Sequence, residues 1–113
     1  MRKELADKLA AQYSEMLRCP VNVGDGWYSI VRKLLSALRK ESSKVRVINI
    51  EQEFGGLQVY INPRTTKLDK IVQQYEDKSW KVCEYCGSAK EVRRHSVSGR
   101  RTVLCGDCAH DHK

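Results

Sequence analysis

Nowhere in these 113 residues does an apolar run approach the roughly 18 needed to cross a membrane as a helix, so no such span is expected. The usual constellations of an enzyme are missing as well: no paired carboxylates, no serine beside an activating base and no glycine-rich phosphate loop. An enzyme is therefore not expected. Prolines number only two, against 41% hydrophobic residues, which excludes a Pro-rich disordered chain and points to a soluble globular fold. The opening Met1-Arg2-Lys3-Glu4 lacks an apolar leader, so a reducing cytoplasm is the expected location.

Acidic residues are the minority. Fourteen Asp and Glu face 21 Lys and Arg, a formal charge of +7 that favours polyanionic partners through counterion release. Four thiolates around one divalent cation would lower this to about +5.

The strongest pattern is at the C-terminal end, where Cys83-Glu84-Tyr85-Cys86-Gly87 is echoed by Cys105-Gly106-Asp107-Cys108. Two Cys-x-x-Cys turns folded onto each other complete a tetrahedral ligand set, the geometry of a structural zinc ribbon. Gly87 and Gly106 suit knuckle turns that need positive φ. The expected cofactor is one structural zinc ion held by Cys83, Cys86, Cys105 and Cys108. A closed set of four sulfurs leaves no coordination position for a catalytic water. Redox chemistry or disulfides are the alternatives, disfavoured by the doubled spacing and by the reducing compartment. His110 or His112 could replace one cysteine, although a frayed tail is the simpler reading of these residues. The fifth cysteine, Cys19, reads as a buried inert thiol rather than as a ligand or nucleophile.

Before the knuckles, Leu5, Leu9, Tyr13, Met16 and Leu17 predict an amphipathic helix over 1–18 that Pro20 ends. Asn22 to Gly26 is a turn cluster. Trp27, Ile30, Val31, Leu34, Leu35 and Leu38 predict a second helix to about Lys40, with Trp27 as a core anchor and Arg32, Lys33, Arg39 and Lys40 on a solvated face. Residues 45–54 and 57–62 read as a β-hairpin joined by Gly55-Gly56. A third helix runs to about Lys78, with Thr66 as its cap, Asp69 completing a capping box, and Leu68, Ile71, Val72 and Tyr75 as its apolar stripe. The fold class is thus α+β: a helix-helix-hairpin-helix (ααββα) unit over 1–78 and a C-terminal four-cysteine zinc ribbon over 79–113.

Between the knuckles, residues 90–101 predict a strand-turn-strand with a Ser98-Gly99 turn and the basic residues Arg93, Arg94, His95, Arg100 and Arg101. Arginine forks suit phosphate oxygens and guanine edges, so this hairpin is the candidate nucleic-acid contact. The plainer alternative is that these side chains solubilise a small hairpin. A degenerate His-Asn-His nuclease would need more than His95 and Glu91 between the knuckles, and neither an Asn nor a second His lies there.

Gly26-Trp27, Phe54-Gly55-Gly56-Leu57 with Tyr60, Ser79 ahead of Cys83-Glu84 and Cys86-Gly87, and then Gly99, Thr102, Leu104 and Cys105 together resemble a family of small, largely uncharacterised bacterial and prophage proteins. The resemblance covers roughly residues 26–108. The chain departs from that pattern at Glu51-Gln52-Glu53, where members often carry a Lys-Glu-Lys run, and at Gln58, where they tend to have Arg. The resemblance implies the hairpin-plus-knuckle fold and a phage or bacterial accessory role, with no reaction attached. The partner is then nucleic acid or a host protein complex such as a defence system; the sequence assigns no oligomeric state.

Overall fold

The computed structural model describes residues 1–97 and 99–111, with Asp111 described by its backbone alone. Ser98 of the expected turn and the candidate ligand His112 lie outside the described residues. In order, the elements are helix α1 (Lys3–Gln12), strand β1 (Val21–Asn22), a single 3-10 turn (Asp25–Trp27), helix α2 (Tyr28–Glu41), strands β2 (Arg46–Glu53) and β3 (Gly56–Asn62), helix α3 (Thr66–Ser79), strands β4 (Arg93–Val97) and β5 (Arg100–Leu104), and helix α4 (Gly106–Asp111). The fold is α+β, with four helices and two small sheets among the described residues.

The first helix stops six residues short of the expected span. Its apolar positions Tyr13 and Met16 are still buried, but the backbone beyond Gln12 is taken by the sheet. The Val47 N–H donates to Met16 O at 2.7 Å and the Arg18 N–H to Val47 O at 2.9 Å. Periodicity reports which side chains are buried, and here an irregular turn buries them as a helix would. The chain then pairs with β2 a second time as β1, with Val21 opposite Ile50, giving a three-stranded sheet in the order β1-β2-β3. Two residues carry no alternating pattern, and the sequence places Asn22 in a turn and assigns Val21 to no element.

Helix α2 follows its stripe: Ile30, Val31, Leu34, Leu35 and Leu38 are all buried, and Trp27 anchors its start with no exposed surface. The basic residues Arg39 and Lys40 fall in its last turn, where the helix dipole favours them.

Strands β2 and β3 form the expected hairpin, but the turn is one residue earlier. Glu53 pairs with Gly56, leaving Phe54 and Gly55 as the two central residues, with φ of 55° and 100°. Positive φ at both is the signature of a type I′ turn, whose twist matches the strands. A bulge between Val47 and Asn49 turns Ile48 out to solvent.

Helix α3 is capped by Thr65, whose hydroxyl accepts from the Leu68 N–H at 3.2 Å. Thr66 is therefore the first helical residue, and Asp69 forms an ion pair with Arg64 at 3.1 Å instead of closing a capping box. The helix also seals the free edge of β3: Ser79 Oγ accepts from the Leu57 N–H and Glu76 Oε2 from the Val59 N–H, both at 2.9 Å. An exposed edge would invite pairing with other chains.

Beyond α3 the chain packs against the preceding elements. Val103 belongs to the main core with Leu9, Trp27, Leu34 and Leu57, while Cys83, Leu104 and Cys105 form a smaller cluster beside it. Trp27 Nε1 donates to Val82 O at 2.9 Å, and a parallel backbone bridge pairs Gly55 with Thr102.

Candidate metal centre and basic hairpin

The first knuckle is a tight turn in which the Gly87 N–H donates to Cys83 O at 3.0 Å and the Cys83 N–H to Ser88 O at 2.9 Å. Gly87 has φ of 82°, as a knuckle requires, whereas Gly106 lies outside the left-handed region. The nearest atom to a β-carbon placed on Gly106 would be Glu91 Oε2, the end of a flexible side chain, at 2.6 Å, so Gly106 is not held by space either. Strand β5 delivers Cys105, and the first turn of α4 brings Cys108 back over it, with the Cys108 N–H 3.5 Å from Cys105 Sγ.

The four sulfurs of Cys83, Cys86, Cys105 and Cys108 all lie within 4.8 Å of one another, the one such ligand group among the described residues. Sulfurs about 2.3 Å from a central ion in a tetrahedron stand roughly 3.8 Å apart, so the set fits a single metal ion. Burial opposes ionisation of Cys83, yet N–H groups of the surrounding backbone at Cys105, Cys86 and Tyr85 bring its thiol down to about 7. Burial and then the adjacent sulfurs push Cys108 upward. Crowded thiolates repel, and a cation at their centre removes the conflict. Cys19 is outside this group; burial raises its thiol. His110 is outside it too, and lines a shallow pocket with Glu91, Arg93 and His95. Glu91, His95 and His110 do not form a second three-ligand group among the described residues.

Glu84, unremarked in the sequence except as a knuckle residue, locks the centre to the rest of the fold. Its side chain is 1% exposed and accepts from the Gly24 N–H at 2.9 Å, from the Thr102 hydroxyl, and from Arg100 at 3.3 Å. Its carbonyl accepts from the Gly26 N–H at 2.7 Å. The backbones approach so closely that a β-carbon on Gly26 would stand 2.5 Å from Gly87 N, and one on Gly24 would stand 2.8 Å from Glu84 Cγ. The turn cluster before α2 is thus a seat for the knuckle. A Gly-x-Gly pair was its one local signal.

In the basic hairpin, Arg93 is opposite Leu104, Arg94 opposite Val103, His95 opposite Thr102, Ser96 opposite Arg101 and Val97 opposite Arg100. Opposed residues share a face and successive ones alternate. The four arginines therefore divide into two pairs, one on each face of the hairpin. Arg93, His95 and Arg100 are on one face, with Arg100 engaged by Glu84; Arg94 and Arg101 are diagonal neighbours on the other. That second face meets the tip of the β2–β3 hairpin: Arg94 donates to Phe54 O at 3.5 Å, and Gln52 Nε2 donates to Arg101 O.

A separate groove of about 550 Å³ is bordered by Lys33, Lys78 and Lys81 together with Tyr28, Tyr75 and Gly87. Its lysines come from α2, α3 and the segment after it, so no local pattern could reveal it. Lys33 is exposed, as the solvated face read for it requires, and Arg39 stacks on Tyr13 at 4.5 Å.

No protein-family model, curated protein or solved structure matches the chain.

Proposed function

We propose that the chain is a non-catalytic zinc-binding protein, its knuckles forming a zinc ribbon, that holds nucleic acid on the Arg94 and Arg101 face of the β4–β5 hairpin. Zinc is the ion that four cysteine sulfurs in a closed tetrahedral set suit best, and it would stabilise shape without chemistry of its own. The observation that carries the binding role is the pairing of Arg94 and Arg101 on one exposed face, where among the described residues neither guanidinium meets a carboxylate. Such groups are available to phosphates, in contrast to Arg100.

Fluorescence anisotropy with labelled oligonucleotides tests this. Affinity should fall steeply with salt, and Arg94→Ala with Arg101→Ala should lower it far more than Arg100→Ala. Binding that is absent, or indifferent to salt, overturns the proposal.

A second reading, a phage or bacterial accessory protein that modulates a host protein complex, is favoured by the exposed Phe54 at a turn tip. It predicts capture of one protein partner that survives nuclease treatment. A degenerate His-Asn-His nuclease finds no support in the arrangement of Glu91, His95 and His110.

A further inference from the structure

Phe54, the sole phenylalanine, is 76% exposed and has φ of 55°. Both properties work against stability. Its position in a type I′ turn favours Asn, Asp or Gly, and a bulky side chain at positive φ is strained. A second large aromatic lies beside the same turn: Trp80 is 39% exposed, and its ring covers Gly56 so closely that a β-carbon there would stand 2.6 Å from Cε2. The aliphatic stem of Arg94 covers Gly55 from β4, with its guanidinium at the carbonyl of Phe54. Gln52 fixes the tip to the basic hairpin through the Gly55 N–H and Arg101 O. Trp80 and the Arg94 fork thus border the turn that presents Phe54, and Arg101 adjoins it through its backbone carbonyl. Glu51 and Glu53 lie on the opposite face of β2 from Gln52, the face shared by Gly56 and covered there by Trp80, and Glu53 is engaged on it by the Tyr60 hydroxyl, from which it accepts at 3.1 Å.

We infer that this surface binds single-stranded nucleic acid, with bases stacked on Phe54 and Trp80 and the adjoining phosphates on Arg94 and Arg101. Stacking needs an open base face, which a single strand offers and a duplex keeps within its own stack. Exposed rings on a cationic surface match that ligand in both its apolar and its charged parts. The inference rests on the nucleic-acid reading above and narrows it from polyanion to unpaired strand.

The test uses the full zinc-loaded chain with labelled oligo-dT and oligo-U of about 20 nucleotides, long enough to span a site of this kind, and a duplex of the same length. The expected result is preference for the single strands, quenching of Trp80 emission on binding, and a roughly tenfold loss of single-strand affinity in Phe54→Ala. Duplex affinity should be unchanged in that variant, and Phe54→Trp should restore single-strand binding. The two oligonucleotides separate DNA from RNA. If Phe54→Ala leaves single-strand affinity intact while Arg94→Ala lowers it, the stacking surface is refuted and the broader reading survives. If no oligonucleotide binds and Phe54→Ala instead releases a co-purifying protein, both fall and the patch is a protein contact.

Discussion

At the scale of single residues, Glu84 carries the most structural weight outside the four cysteines. A buried carboxylate is tolerated only when its acceptor sites are filled, and here a backbone N–H, a hydroxyl and a guanidinium fill them. Glu84→Ala should therefore leave the Gly24 N–H and the Thr102 hydroxyl without their partner and destabilise the fold by about 3 kcal/mol. Arg100→Ala should cost only about 1 kcal/mol, because its side chain is 53% exposed and water replaces much of the interaction. Urea unfolding of the two variants at constant zinc measures both. Equal losses would mean that the carboxylate acts only as the counter-ion of Arg100. None of this was legible in the sequence, where a glutamate inside a Cys-x-x-Cys turn looks like a solvated spacer. Its partners come from 60 residues upstream and from 16 and 18 residues downstream.

At the scale of elements, α3 closes the edge of β3 with one serine and one glutamate. Burial raises the Glu76 carboxyl above its ordinary 4.5, and the hydrogen bond from the Val59 N–H offsets this only in part. A folded-state value above the unfolded one means that the stabilising contribution is complete below the ordinary carboxylate range and lost as pH rises through the elevated value. Ionised Glu76 is then a net cost at neutral pH. Glu76→Gln keeps an acceptor for Val59, so it should be more stable than the parent at about pH 8, with the difference vanishing near pH 4. Denaturation midpoints across that range check the sign; a variant less stable at every pH would refute it. The helix itself was legible, since Leu68 and Val72 are buried as their spacing requires. Its cap was displaced by one residue because two adjacent threonines, Thr65 and Thr66, offer equivalent hydroxyls and only the backbone path selects between them.

At the scale of the whole molecule, the knuckle is joined to the helices and the sheet through Gly24, Gly26, Trp27 and Val103. Removing the metal should therefore loosen more than the last third of the chain. Amide exchange after chelation is expected to rise in residues 80–111 and also across the start of α2 and the tip of the β2–β3 hairpin. Exchange confined to residues 80–111 would show that the contacts with the helices survive without the ion. Cys83→Ser should reproduce the chelated pattern.

The amino-acid sequence alone determined the sulfur set, the two long helices and the β2–β3 hairpin. Each is written in local spacing: ligands three positions apart, a 3.6-residue stripe, a two-residue alternation. The tertiary structure decided where α1 gives way to the sheet, that Val21 and Asn22 form a strand, and which glycines must yield to the knuckle. It also decided that Arg94 reaches the Phe54 carbonyl while Arg100 is engaged by Glu84. Those outcomes depend on which distant backbones compete for the same hydrogen bonds and the same space, and that competition exists only once the chain has closed on itself.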